Sequence, residues 1–96
     1  MNSKVWIFLP AYNEELDLDA VLRGLAETLE PLGRPWGILV VDDGSTDATP
    51  EMLERARKVY PLEVLRHCIN RGLGETERDG FERLAELAEP HDVIVR

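Results

Sequence analysis

Asp42 and Asp43 stand side by side at the end of an apolar run, Ile38-Leu39-Val40-Val41, and lead into Gly44, Ser45 and Thr46. Adjacent carboxylates repel each other, and neither can join the hydrophobic run before them. At this place they admit three readings. They are a strand-ending turn built from ordinary turn formers, a metal or phosphate site, or the corner of a nucleotide pocket that reads a base. In the third reading a carboxylate, which only accepts hydrogen bonds, would select an N–H donor. Two other clusters carry chemistry. Pro10-Ala11-Tyr12-Asn13-Glu14 joins an aromatic ring to an acid, and Arg66-His67 through Gly74 contains Asn70-Arg71-Gly72-Leu73-Gly74, a cation among glycines. The plainer alternatives are a half-buried aromatic at Tyr12, a helix cap at Glu14 and a flexible loop at 70–74. His67 and His91 have no ligand-like spacing to each other or to Cys68, so they suggest no metal site. Cys68 is the single cysteine. It cannot form an internal disulfide, reads as a small buried hydrophobe, and makes a reducing compartment the default.

All three clusters fall where apolar runs end. Val5-Trp6-Ile7-Phe8-Leu9 is a continuous run of the kind expected for a strand buried on both faces. Leu18, Val21, Leu22, Leu25, Ala26 and Leu29 then recur at helical spacing, with Asn13 placed to cap the helix and Glu14 and Glu15 to meet its dipole. Ile38–Val41 is the second strand. Thr49 reads as an N-cap before Pro50, and Met52, Leu53, Ala56 and Val59 follow as a second amphipathic helix. Leu62-Glu63-Val64-Leu65 is a more polar strand, expected nearer an edge. Phe81, Leu84, Ala85 and Ala88 mark a third helix, whose acidic start at 75–79 reads as a solvated face with local ion pairs. Asp92-Val93-Ile94-Val95 is a fourth strand. The order βαβαβαβ predicts an α/β fold, a three-layer αβα sandwich on a parallel sheet, with residues 1–96 as a single domain. Ligands of such sheets bind beyond the carboxyl ends of the strands, where the clusters lie.

Several classes are set aside. With 96 residues and a net charge of −8, the chain lacks the basic face of a nucleic-acid binder. No apolar run approaches the ~20 residues of a membrane span, and no signal peptide is evident. There is no P-loop, no Gly-x-Ser-x-Gly elbow, and no third glycine to complete a dinucleotide fingerprint with Gly72 and Gly74. A phosphorelay receiver would want an isolated aspartate after the third strand, where this chain has Arg66-His67.

The segments FLPAYNEE (8–15), ILVVDDGSTDAT (38–49), NRGLGETERDGF (70–81) and DVIVR (92–96) together resemble the family 2 inverting glycosyltransferases of GT-A fold. The nearest look is to dolichyl- or polyprenyl-phosphate sugar synthases. The resemblance implies a Rossmann-like half-domain with strand order 3-2-1-4. It implies a nucleotide-diphospho-sugar donor, UDP- or GDP-linked, and a polyprenyl-phosphate acceptor at a membrane. By motif position, Pro10, Ala11 and Tyr12 would line the base and Glu14 would face the ribose. Asp43 would accept from the base, Asp42 would support the loop or nucleotide, and Arg71 and Gly72 would lie near ribose and diphosphate. Glu75 and Glu77 stand where the family often carries small and basic residues, a poor neighbourhood for phosphate. The family's metal-binding Asp-x-Asp would follow Arg96. A divalent cation, Mg2+ or Mn2+, is therefore expected for a longer enzyme, with no metal held and no catalytic residue supplied by this chain, which would be inactive alone. The further expectations are a cytoplasmic location, membrane-associated for the longer protein, and a homodimer through the exposed strand 92–96. The alternative is a non-catalytic nucleotide-binding or interaction domain that keeps only the fold.

Overall fold

The computed structural model describes residues 3–95. In chain order it contains β1 (Val5–Ala11), α1 (Leu18–Leu29), a 3₁₀ turn (Glu30–Leu32), β2 (Trp36–Asp43), α2 (Thr49–Ala56), β3 (Leu62–His67), α3 (Leu73–Leu87) and β4 (Val93–Val95). The four strands form one parallel sheet in the order β3-β2-β1-β4. The apolar runs explain that order. The central strands are sealed on both faces, and Ile38, Leu39, Val40 and Val41 of β2 have no exposed surface. Alternate residues enter two separate cores, as the period of a strand requires. Val5, Ile7, Ile38 and Val40 pack with Leu18, Leu22 and Leu53 on one side. Trp6, Phe8, Leu39 and Val41 pack with Leu84 on the other, backed by Phe81 and Leu87.

β3 is an edge strand, as its polarity suggested. β4 is the other edge, and Val93, Ile94 and Val95 are each a little over two-fifths exposed. Asp92 fixes its start beside β1: Oδ1 accepts from Lys4 N at 2.9 Å and Oδ2 from Glu89 N at 2.8 Å. A dimer through residues 92–96 would have to form on this edge, and Arg96 lies outside the described residues.

Three local expectations are corrected. α1 starts at Leu18 after Asp17, so Asn13 does not cap it; Asn13 sits in the left-handed region at φ 51 and serves a neighbouring loop instead. α2 starts one residue early, with Ala48 at the N-cap and Thr49 already helical. Thr49 is fully buried, and its hydroxyl is used across the fold. Cys68 is exposed, because the chain leaves the sheet at His67 and Cys68 rides on the departing loop.

Candidate functional site

The adjacent acids separate at once. On a pleated strand successive side chains point to opposite faces, so Asp42 turns with Val40 toward α2, and Asp43 turns with Val41 toward α3. Asp42 is fully buried; its Oδ1 accepts from Ser45 N at 3.1 Å and shapes the turn after β2. Its Oδ2 makes no hydrogen bond, and Arg66 Nε stands 3.9 Å away, beside a hollow of about 360 Å³ lined also by Pro50, Glu51 and Arg57.

Asp43 is the more heavily engaged of the two. Its Oδ1 accepts from His67 Nδ1 at 2.7 Å and from Arg71 N at 2.9 Å, and its Oδ2 accepts from Gly72 N at 2.9 Å. The side chain thereby ties the end of β2 to the turn before α3. His67 is buried in turn, and its Nε2 meets Asp79 Oδ2 at 2.7 Å. Both ring nitrogens thus face carboxylate oxygens, and only an imidazolium donates from both. The hydrogen bond to Asp43 raises the His67 pKa above its ordinary 6.5; burial opposes this and the bond to Asp79 adds to it. Burial pushes the Asp43 carboxyl up, but hydrogen bonds from His67, Arg71 N and Gly72 N outweigh it and hold the pKa below the usual 3.8. Asp79 is held low chiefly by His67, against burial, with Arg71 and Arg78 adding charge.

These directions fix how stability depends on pH. A raised histidine pKa contributes fully below about pH 6.5, and the contribution fades as pH rises through the raised value. The depressed carboxylates contribute above about pH 3.8 and fade as pH falls. The groups around the ring are Asp43 from β2 and Asp79 from α3, with Arg71 and Arg78 behind Asp79. Urea midpoints measured from pH 3 to 9 are expected to peak between about pH 4 and 6.5 and to decline above. In His67→Leu that alkaline decline is expected to disappear; its persistence would assign it to another group.

The loop after β1 is clasped to the loop after β2. Asn13 N donates to Ser45 Oγ at 2.9 Å, and Thr46 N returns a bond to Asn13 Oδ1 at 2.8 Å. Glu14 N donates to Thr49 Oγ1 at 2.9 Å. Glu15 Oε2 accepts from Ala48 N at 3.3 Å, so this acid serves the start of α2 rather than α1. Gly44, at φ 74, presses against the backbone of Ile69 and Asn70, and Asn70 Nδ2 donates to Asp43 O at 3.3 Å. Three strand-end loops are thereby locked around one place.

That place is a cleft of about 260 Å³ lined by Pro10, Ala11, Tyr12, Glu14, Asp43 and Gly72. Six of the eight residues singled out from the sequence therefore converge. Asn70, Leu73 and Thr76 complete the walls. Asp42 stays out because it faces the other side of the sheet. The Arg71 guanidinium also stays out, bonded to Glu75 at 3.0 Å and Asp79 at 3.5 Å, and Arg71 meets Asp43 through its backbone. The acidic start of α3 does carry local ion pairs, but Asp79 turns inward to His67. His67 and Asp79 were missed. The available signal was register: His67 pairs directly with Asp43 across β2 and β3.

Among the described residues, no three His, Cys, Asp or Glu side chains converge to hold a metal ion. Asp43, His67 and Asp79 are donor-rich, but they are spent on one another, so the residues present do not fit a divalent cation. Nor is any helix among the described residues long and apolar enough to cross a membrane.

The pattern of Glycosyl transferase family 2 matches residues 6–85, which takes in β1 through most of α3. The chain belongs to glycosyltransferase family 2. This family 2 domain is 33% identical over 72 residues to undecaprenyl-phosphate 4-deoxy-4-formamido-L-arabinose transferase of Salmonella paratyphi B, a match covering 75% of the domain and 22% of the relative. It superposes on residues 1–349 of S. aureus TarS with a TM-score of 0.72 at 30% identity, covering 83% of the domain and 24% of TarS. TarS in complex with UDP gives 0.69 at 28% identity. The mannosyltransferase PcManGT of Pyrobaculum calidifontis, in complex with GDP-Man and Mn2+, shares the fold with a TM-score of 0.73 at 24% identity, over 86% of the domain and 25% of that chain. The domain thus spans about a fifth to a quarter of the length of these relatives.

Proposed function

We propose that this domain is the nucleotide-binding part of a glycosyltransferase, taking the nucleoside diphosphate of a UDP- or GDP-linked sugar donor in the cleft at the strand ends. One observation carries the reading: Asp43, an acceptor-only group held rigid by three hydrogen bonds, lines the same cleft as Tyr12. Pro10, Ala11 and Tyr12 flank the base, Asp43 accepts from its N–H edge, and Glu14 takes the ribose hydroxyls as acceptor. Gly72 and the Arg71 backbone stand where ribose and diphosphate pass, and a bare glycine permits close approach. Asp42 acts indirectly, by holding Ser45 N and the turn. Residues 1–96 work as one unit in this reading. A divalent cation at the diphosphate would be held by residues other than those described. The polyprenyl-phosphate acceptor is supported by the name of the Salmonella relative alone.

Calorimetric titration of the chain with UDP and GDP, with and without Mn2+, tests the proposal. Saturable binding of at least one nucleotide is expected. Tyr12 is 44% exposed and carries little of the core, so Tyr12→Ala should leave the fold intact and weaken binding about tenfold, as loss of a base-stacking ring does. Absence of binding by both nucleotides at millimolar concentration would leave a domain that keeps the fold without the site.

A further inference from the structure

The hydrogen bonds around Asp43 restrict what that carboxylate still offers a ligand. An ionised carboxylate has about four acceptor positions, two on each oxygen. His67 Nδ1 and Arg71 N use both on Oδ1, and Gly72 N uses one on Oδ2. One position remains, on Oδ2. The group cannot turn to offer more, because two of its donors are backbone amides and the third is braced. His67 is only 7% exposed and is gripped from behind by Asp79 at 2.7 Å.

We propose that His67 is a specificity-determining residue: by occupying Oδ1 of Asp43 it leaves the cleft one acceptor, which selects a base edge with a single N–H donor over an edge with two adjacent donors. The first class is the imide edge of uracil, one N–H between two carbonyls. The second is the guanine edge, whose ring N–H and amino group together require both oxygens of a carboxylate. Against this Asp43 the guanine amino group meets an oxygen already saturated by an imidazolium and an amide, and it goes unpaired. A polar group desolvated without a partner weakens binding about tenfold. The inference rests on the proposed use of the cleft for nucleotides and adds to it which base is taken.

The test compares UDP, GDP and IDP on the unmodified chain by calorimetry. Hypoxanthine, the base of IDP, is guanine without the amino group, so the two purines differ only in the second donor. IDP is expected to bind about tenfold more tightly than GDP, and UDP more tightly than GDP. His67→Leu frees one acceptor position on Oδ1, the other staying with Arg71 N, and is expected to bring the IDP-to-GDP affinity ratio to about one or below. His67→Asn, whose amide nitrogen stands near the place of Nδ1, is expected to restore the preference. A loss of structure alone would change all three affinities without changing their ratio. GDP binding as tightly as IDP to the unmodified chain overturns the assignment of His67 while leaving the nucleotide cleft in place. Failure of all three to bind at millimolar concentration overturns both. The unmodified-chain comparison needs no variant to fold.

Discussion

Asp43→Ala lowers the stability of the chain by about 3–5 kcal/mol, the range for removing one partner of a buried ion pair. The substitution leaves an imidazolium at His67 with an empty Nδ1 side, buried beside two backbone amides that lose their acceptor. Removing both partners would be milder, since the charge and its counter-charge would go together. Asp43→Asn is no rescue. A carboxamide has one oxygen and one amino group, so whichever way it is placed, an N–H is set against His67 and Arg71 N or against Gly72 N. Small domains have only about 5–15 kcal/mol in hand. The melting temperature should therefore fall by more than about 10 °C. Urea unfolding followed through the buried Trp6 measures the loss directly. A change below about 1 kcal/mol would mean that His67 is not held as a cation between the two acids.

Gly44→Ala is the second large effect, and it is purely steric. Gly44 has φ 74, and a Cβ built there lies 2.3 Å from Ile69 C and 2.4 Å from Asn70 N. Those atoms are backbone of the neighbouring loop, so no rotamer change relieves the contact. Left-handed geometry alone costs a residue with a side chain about 1–2 kcal/mol. Displacing the 69–70 backbone also pulls Asn70 from Asp43 O and disturbs the Arg71–Gly72 turn, for a total above about 3 kcal/mol. Gly33→Ala separates the two contributions. Gly33 has a similar φ of 65 and open space around it, so its variant should lose only about 1 kcal/mol. Equal losses at the two positions, measured by urea denaturation, would refute the steric account.

Much of the architecture was legible because it follows from local pattern. Continuous apolar runs at 5–9 and 38–41, separated by helical spacing, leave little choice but a parallel sheet with buried central strands. The polar content of Leu62–Leu65 placed β3 at an edge for the same reason. The errors at the helix starts have a common physical origin. Asn13 and Thr49 are good helix-capping types and Glu15 suits a helix dipole, but the polar atoms of all three serve partners more than thirty residues away. Composition shows that such a group needs a partner and not which partner it finds. His67 and Asp79 were hidden in the same way. Histidine at the end of a polar edge strand gives no periodic signal, and Asp79 sits in a run of charges in which Glu75 and Arg78 do pair locally. Strand register was the missing information, because it sets His67 opposite Asp43.

The opposed facing of Asp42 and Asp43 has a consequence for how this domain can change over time. Neighbours in the chain, they inhabit different compartments, one against α2 and one against α3, so drift at either position is not felt at the other. What binds them is parity. Deleting one residue within β2 would turn Asp43 to the face that Asp42 now occupies and set Gly44 opposite His67, leaving the imidazolium without its partner. A substitution at one acid is felt in one compartment, whereas a change in the length of the strand is felt in both at once.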